Sequence, residues 1–186
     1  MVLLTKVGLI APVTAVDFFI RDDTKEVILV SGCGGNMDYY CLSSDLSLQR
    51  KKTIEVFQTH SIHGINCRSL GRGGEIIIVF GAKAVRIFYQ KSFDSFGCCV
   101  NTDDLVLACE VACLPNLGEC VLVGCAHNFI DLFQMSPTHE HMLRIQNAHA
   151  CVLFSMSFSF PSFATGEEKS SVCVASGTAE GCIVLW

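Results

Sequence analysis

The chain contains no Cys-x-x-Cys pair, no Asn-x-Ser/Thr sequon and no clean run of the roughly 20 apolar residues that a membrane-spanning helix needs. It also lacks the Gly-x-Ser-x-Gly nucleophile turn, a Walker-type phosphate loop and a His-Glu-x-x-His zinc helix. The common hydrolase, nucleotide-binding and metalloprotease sites are therefore without their sequence carriers. Charge is scarce too: 17% of residues are charged and the formal net charge is -5, which argues against a strongly basic nucleic-acid surface. The apolar stretch Val2 to Ile20 is interrupted by Lys6, Pro12 and Asp17, and no basic segment precedes it. Neither a signal peptide nor any membrane association is expected from it. Helical signals are missing as well, since no segment sustains apolar residues at i, i+3, i+4 and i+7 between caps.

What is present is apolar: 51% of the 186 residues are hydrophobic, enough for a substantial core and too many for disorder over most of the length. Twelve cysteines invite a disulfide reading, but their placement opposes it. Cys109, Cys113, Cys120, Cys125, Cys173 and Cys182 stand inside apolar strand-like runs, where cysteine behaves as a small hydrophobe. Reduced, buried thiols in an intracellular, cytoplasmic protein are the expectation.

The strongest positive signal is a repeat. Four apolar strands end at Gly32, Gly81, Gly124 and Gly177, and each is followed by a strand closing on an aromatic, Tyr40, Phe88, Phe133 and Trp186. Self-similarity at roughly 40–50 residues marks blade-type β repeats, small antiparallel sheets that cover one another's faces. The expected fold is all-β, a WD-type β-propeller, with blades at about 10–58, 60–100, 105–146 and 149–186. Within them, strands are predicted at Ala15–Ile20, Val27–Ser31, Asp38–Leu42 and Thr53–Gln58, then Ile62–Leu70, Glu75–Phe80 and Ala84–Tyr89. The third unit gives Leu107–Leu114, Glu119–Gly124, Phe129–Met135 and Met142–Gln146, and the fourth Val152–Phe160, Ser171–Ser176 and Cys182–Trp186. Pro161 to Ser170 reads as a mobile loop. His60 and His149 precede first strands as in WD repeats, though without the glycine partner. Closed propellers carry roughly four to eight blades, so four units with a short last one read as part of a larger propeller.

His60-Ser61-Ile62-His63-Gly64-Ile65, Val79-Phe80-Gly81-Ala82-Lys83-Ala84-Val85-Arg86, Gly124-Cys125-Ala126-His127-Asn128 with Ile130-Asp131-Leu132-Phe133, and Leu153-Phe154-Ser155-Met156-Ser157-Phe158 carry a family likeness. Together with the opening Leu9-Ile10-Ala11-Pro12-Val13-Thr14-Ala15-Val16, they resemble the N-terminal part of the WD-repeat protein six family. The resemblance implies a non-catalytic partner of the 2′-O-methyltransferase that acts on the tRNA anticodon loop. Its implied role is to position tRNA or the enzyme for ribose methylation of the wobble nucleotide, without a cofactor of its own.

The residues themselves add candidates for contact. Lys83 and Arg86, with Arg68, Arg72 and Arg50-Lys51-Lys52, are the cations best placed to meet either RNA phosphate or a methyltransferase surface. His63 is read as a blade histidine bonding within its sheet, with a partner contact as the alternative, and Gly64 as a point of close approach. Gly32-Cys33-Gly34-Gly35 leads from strand to strand, so it is read as a hairpin and not a phosphate loop. His139 and His141 are placed in a solvated connection, and the strand-closing aromatics in the core. No catalytic residue and no metal ligand is assigned. A protein-interaction scaffold without RNA is the competing function.

Overall fold

A computed structural model describes residues 11–21, 24–69, 74–89, 97–114, 117–127, 129–135, 140–146, 153–159, 173–178 and 181–185. All regular structure among them is strand, as the missing helical stripes require. The strands are β1 (Val13–Ile20), β2 (Val27–Cys33), β3 (Asn36–Leu42), β4 (Leu48–Glu55), β5 (Gly64–Ser69), β6 (Glu75–Gly81), β7 (Ala84–Tyr89) and β8 (Cys98–Asn101). They continue with β9 (Val106–Leu114), β10 (Gly118–Cys125), β11 (Ile130–Gln134), β12 (His141–Ile145), β13 (Leu153–Ser159), β14 (Cys173–Thr178) and β15 (Ile183–Leu185).

They form four antiparallel meanders, β1-β2-β3-β4, β5-β6-β7-β8, β9-β10-β11-β12 and β13-β14-β15. The meanders span Val13–Glu55, Gly64–Asn101, Val106–Ile145 and Leu153–Leu185. Two departures from the predicted strands share a cause. The outer strand of the first sheet starts at Leu48, inside what the sequence presents as a polar connection, and β8 carries no strong strand signal at all. Outer strands meet water along one edge, so they tolerate charge. Gln49 and Arg50 pair with Cys41 and Tyr40, Lys51 falls at the bulge before the Lys52–Tyr39 pair, and Gln49, Arg50 and Lys51 all remain exposed. Alternation of apolar and polar residues is then weak, and the period-two signal fades.

The chain divides into two compact units, 1–97 and 98–186. In the first unit β1 packs on β5. A core of Ile28, Val30, Met37, Phe57, Ile62, Ile65, Ile77, Val79 and Phe88 fills the space there. Strand β6 is buried throughout, and Ile76, Ile77 and Ile78 have no exposed surface, so its sequence is a continuous apolar run and not an alternating one. In the second unit β13 packs on β9 and β10.

Tight joints fix these sheets. The β2–β3 hairpin turns through Gly34 at φ +58°, and the Gly32–Gly35 stretch is the hairpin its sequence suggests. At Gly35 an added Cβ would lie 2.0 Å from the Phe57 carbonyl oxygen, because the segment leaving β4 folds directly over this turn. The Gly35 oxygen accepts the Val56 and Phe57 amides at 3.0 Å there. Gly64 is a point of close approach, as expected: a Cβ would fall within 2.0 Å of the Phe80 ring. Across the first two sheets, Asp17 Oδ2 on β1 accepts the Cys67 amide of β5 at 2.7 Å.

Cysteine chemistry follows burial. Cys67, Cys109, Cys120 and Cys125 are buried, whereas Cys182 is exposed, a correction to its expected core position. It sits at the mouth of the short β15, where little covers it. The side chains of Cys113 and Cys173 lie outside the described residues, as do Trp186, His149 and the Pro161–Ser170 loop. Tyr40, Phe88 and Phe133 are buried as packing residues.

Candidate functional site

The predicted contact residues do not gather at one place. His63 and Lys83 share an end of the second sheet: the His63 amide donates to Phe80 O at 2.8 Å, and Lys83 occupies the two-residue turn between Gly81 and Ala84. Both side chains are exposed. The blade contact of His63 is thus made by its backbone amide, while its side chain is exposed. Arg86 lies half-buried over the Phe57 ring, 5.6 Å from its centroid, and donates to Val85 O at 3.3 Å. Arg68 pairs with Ile76 in the ladder, about 17 Å along β6 from Gly81 at the usual strand rise. Its guanidinium reaches Asp17 at 4.0 Å and Cys67 O at 2.9 Å. Arg72 lies outside the described residues.

A different cluster, in the third sheet, has the geometry of a site. Asp131 on β11 has no exposed surface. Arg144 stands directly opposite it on β12, and His141 directly opposite Phe133. Arg144 donates from Nε to Asp131 Oδ1 at 2.7 Å and from Nη2 to Oδ2 at 2.8 Å. His141 Nε2 lies 3.0 Å from Asp131 Oδ1; an ionised carboxylate only accepts, so this nitrogen carries the proton. Arg144 Nη2 also donates to Asp103 Oδ2 at 2.9 Å, reaching out of the sheet to the β8–β9 connection. Its guanidinium sits 4.1 Å from the Phe129 centroid, and His141 meets Phe133 edge-on at 5.0 Å. Asn101, Thr102, Asp103, Asp131, Phe133, His141 and Arg144 line a cleft of about 370 Å³. His141 therefore opens β12 instead of lying in a solvated connection; His139 is outside the described residues.

Electrostatics make the cluster rigid. Burial pushes the Asp131 carboxyl up, but hydrogen bonds from Arg144 and His141 outweigh it and hold the group below the ordinary carboxylate range. The same contacts, to Asp131 first and Asp103 second, raise the Arg144 guanidinium further. Beside the cleft, Asp104 Oδ2 accepts the His127 amide at 2.6 Å and lies 2.6 Å from its Nδ1, tying the β10–β11 turn to the β8–β9 connection. Burial opposes ionisation of Asp104 as well, and the Leu105 and His127 amides overcome it.

The first sheet carries a simpler version of this arrangement. Asp38 on β3 is buried, and directly opposite it on β4 stands Thr53, whose hydroxyl donates to Asp38 Oδ1. Sequence reasoning quoted Asp131 only as part of a motif. Its signal was a lone acid in the apolar run Ile130-Asp131-Leu132-Phe133, a pattern that asks for a buried partner. Arg144 and His141 had no local signal, because register across the hairpin brings them in.

Four-strand meanders with tight hairpins and strand-to-strand packing between successive sheets define blades of a β-propeller. The chain matches no protein-family model and no curated protein. Among solved structures it is similar to BBS1N, the BBS1 N-terminal β-propeller, in complex with ARL6DN and soaked with mercury. That likeness has a TM-score of 0.62 at 15% identity and covers 94% of this chain and 51% of the other. The same complex soaked with lead gives 0.58 at 14% identity, covering 94% and 48%. This chain thus spans about half the length of the solved chains it matches, and at such identity the likeness establishes the fold. Among the described residues no helix is long and apolar enough to cross a membrane.

Proposed function

We propose that this chain is a non-catalytic propeller scaffold that serves, in the cytoplasm, as an accessory subunit for 2′-O-methylation of the tRNA wobble nucleotide. It would position the tRNA, the methyltransferase, or both. One observation supports this reading above the others. Two sequence segments that carry the family resemblance, around His63-Gly64 and around Phe80-Gly81-Ala82-Lys83, are joined in space by the His63 amide and the Gly64–Phe80 contact. They form one exposed end of a blade with a cation at its tip, the kind of rim on which propellers hold partners. The test is mass spectrometry of tRNA with and without the gene. Loss of the wobble 2′-O-methyl mark, restored by re-expression, is expected; an unchanged mark would sink the reading.

A second reading, a protein-interaction scaffold without RNA, is favoured by charge. Residues 98–186 hold two Lys and Arg against nine Asp and Glu, a net of -7, while residues 1–97 hold eleven against nine, a net of +2. A surface that acidic repels phosphate. The solved relative BBS1N is itself recorded in complex with a protein, ARL6DN. Partners that survive RNase treatment, with no methyltransferase among them, would decide for this reading.

A further inference from the structure

We propose that two copies of this chain dock head to tail, the outer face of β1 in one copy seating on the open face of the β13-β14-β15 sheet in the other. This pairing is independent of both functional readings. Its template is the contact inside the first unit, where the second sheet seats on the first. Side chains alternate between the two faces of a strand, so each sheet has two faces to cover. The core between these sheets takes Phe19, Ile28, Val30, Met37 and Cys41 from one face of the first sheet. From the second sheet it takes Ile65, Cys67, Ile77, Val79 and Phe88, again one face. The first sheet is the receiving side of this contact and the second the seated side.

Register shows that the chain carries each side once more, uncovered. The β2–β3 and β6–β7 hairpins both turn through two residues, so the Cys33–Asn36 pair aligns with the Gly81–Ala84 pair. Further back along each ladder, Ser31 with its partner Val16 stands where Val79 and Ile65 stand, and Leu29 with Phe18 where Ile77 and Cys67 stand. Ile65 and Cys67 are 5% and 8% exposed, whereas Val16 and Phe18 are 58% and 61% exposed. The seated-side positions of the first sheet thus face water. A shared bulge aligns the fourth sheet with the first: Val13–Cys33 then Ala15–Gly32 in one, Leu153–Thr178 then Ser155–Gly177 in the other. Gly177 and Ala175 stand where Gly32 and Val30 stand, and their β15 partners Ile183 and Leu185 take the places of Met37 and Tyr39. Met37 has no exposed surface, whereas Ile183 and Leu185 are 78% and 72% exposed. A receiving face is therefore open too. One chain that exposes both sides of the same contact is built for a heterologous, head-to-tail association with its own copy. Charge agrees, because the contact brings the weakly basic first unit against the strongly acidic second unit of the other copy. Length agrees as well: the chain spans 51% and 48% of the solved chains it matches, so two copies supply about one of them.

The test is sedimentation velocity of the full 186-residue chain over a broad concentration series. With rising concentration the chain is expected to sediment at twice the mass of one copy. Phe18→Lys and Leu185→Lys each put a charge into the apolar contact, and each should weaken association by about tenfold or more. Both positions are exposed, so the fold stands, and far-ultraviolet circular dichroism checks it. Phe18→Leu keeps the face apolar and should remain dimeric. Phe18→Glu mixed with Leu185→Lys should regain the dimer, because one contact of the pair then carries opposite charges and the other is unaltered. A monomer at every concentration would overturn the proposal and leave the β1 face to a sheet of a different polypeptide. A dimer indifferent to Phe18→Lys would overturn it as well. So would a dimer broken by Phe18→Lys but not by Leu185→Lys, the mark of two β1 faces meeting each other. The tRNA mark is read separately, so either idea can fail alone.

Discussion

A carboxylate can remain ionised with no exposed surface only if hydrogen bonds replace the water it has lost. At Asp131 that replacement comes from two side chains on the neighbouring strand. Removing the charge leaves Arg144 half-covered against a neutral amide. Asp131→Asn is expected to destabilise the chain by about 3 kcal/mol, near the low end for a broken buried pair because Arg144 keeps 29% of its side chain exposed and retains Asp103. Urea denaturation measures this. Acid gives an independent check. Asp131, Asp104 and Asp45 all titrate below the ordinary aspartate value of 3.8 in the folded chain, Asp45 at about 2 through the Ser43 and Ser47 hydroxyls. The folded state therefore binds these protons more weakly than the unfolded chain does. Their stabilisation is complete well above pH 4 and is lost as pH falls through about 4 toward about 2. The melting temperature should drop across that window, and less steeply in Asp131→Asn. The buried thiols behave in the opposite sense. Burial pushes Cys67 and Cys125 up to about 12, so neither is nucleophilic at neutral pH. A brief iodoacetamide pulse on native protein, read by peptide mass mapping, should modify the exposed Cys182 and spare both until denaturant is added.

At the scale of elements, the glycines decide how closely one segment lies on the next. Gly35→Ala would drive a Cβ to 2.0 Å from the Phe57 carbonyl, and backbone cannot swing aside as a flexible side chain would. A loss near the upper end of the roughly 1–3 kcal/mol overpacking range, above that of Gly34→Ala, is expected. Gly34→Ala, next to it, meets nothing within 4 Å and costs only its left-handed φ, about 1–2 kcal/mol. Both variants together in guanidinium titrations would separate crowding from backbone strain; equal losses would contradict the crowding argument. Most strands were legible because inner strands bury both faces or one, and burial writes itself as apolar runs ending in glycine. Strand β6, Glu75–Gly81, is the clearest case. The outer strands were only partly legible: Met142–Gln146 matches β12, but β4 and β8 have an edge in water, and Arg50-Lys51-Lys52 reads as a loop until its ladder to Tyr39 and Tyr40 is seen. The Asp131 cluster was half legible. A lone acid in an apolar strand announces that it needs partners, but their identity depends on the bulged register of β11 with β12, which no local pattern encodes. The distance of Arg68 from His63 and Lys83 along the second sheet is likewise a matter of register.

For the whole molecule, the division of charge constrains any contact with RNA. The first unit is weakly basic and the second strongly acidic. If tRNA binds, phosphate must be met by the first unit, and its exposed turn cation, Lys83, is the natural point. Arg86 is less available, because its guanidinium is spread over Phe57 and bonded to Val85 O. Each cation that touches phosphate releases counterions when tRNA binds, so its removal flattens the dependence of affinity on salt. Lys83→Ala is expected to lower the slope of log affinity against log salt by about one, and Arg86→Ala by less. Asp103→Ala, on the acidic unit, should leave the slope unchanged, since no phosphate is drawn there. Filter binding of tRNA to the whole chain across a salt series measures all three. An unchanged slope in Lys83→Ala would remove this blade end from the RNA contact and leave the scaffold reading without RNA as the one to pursue.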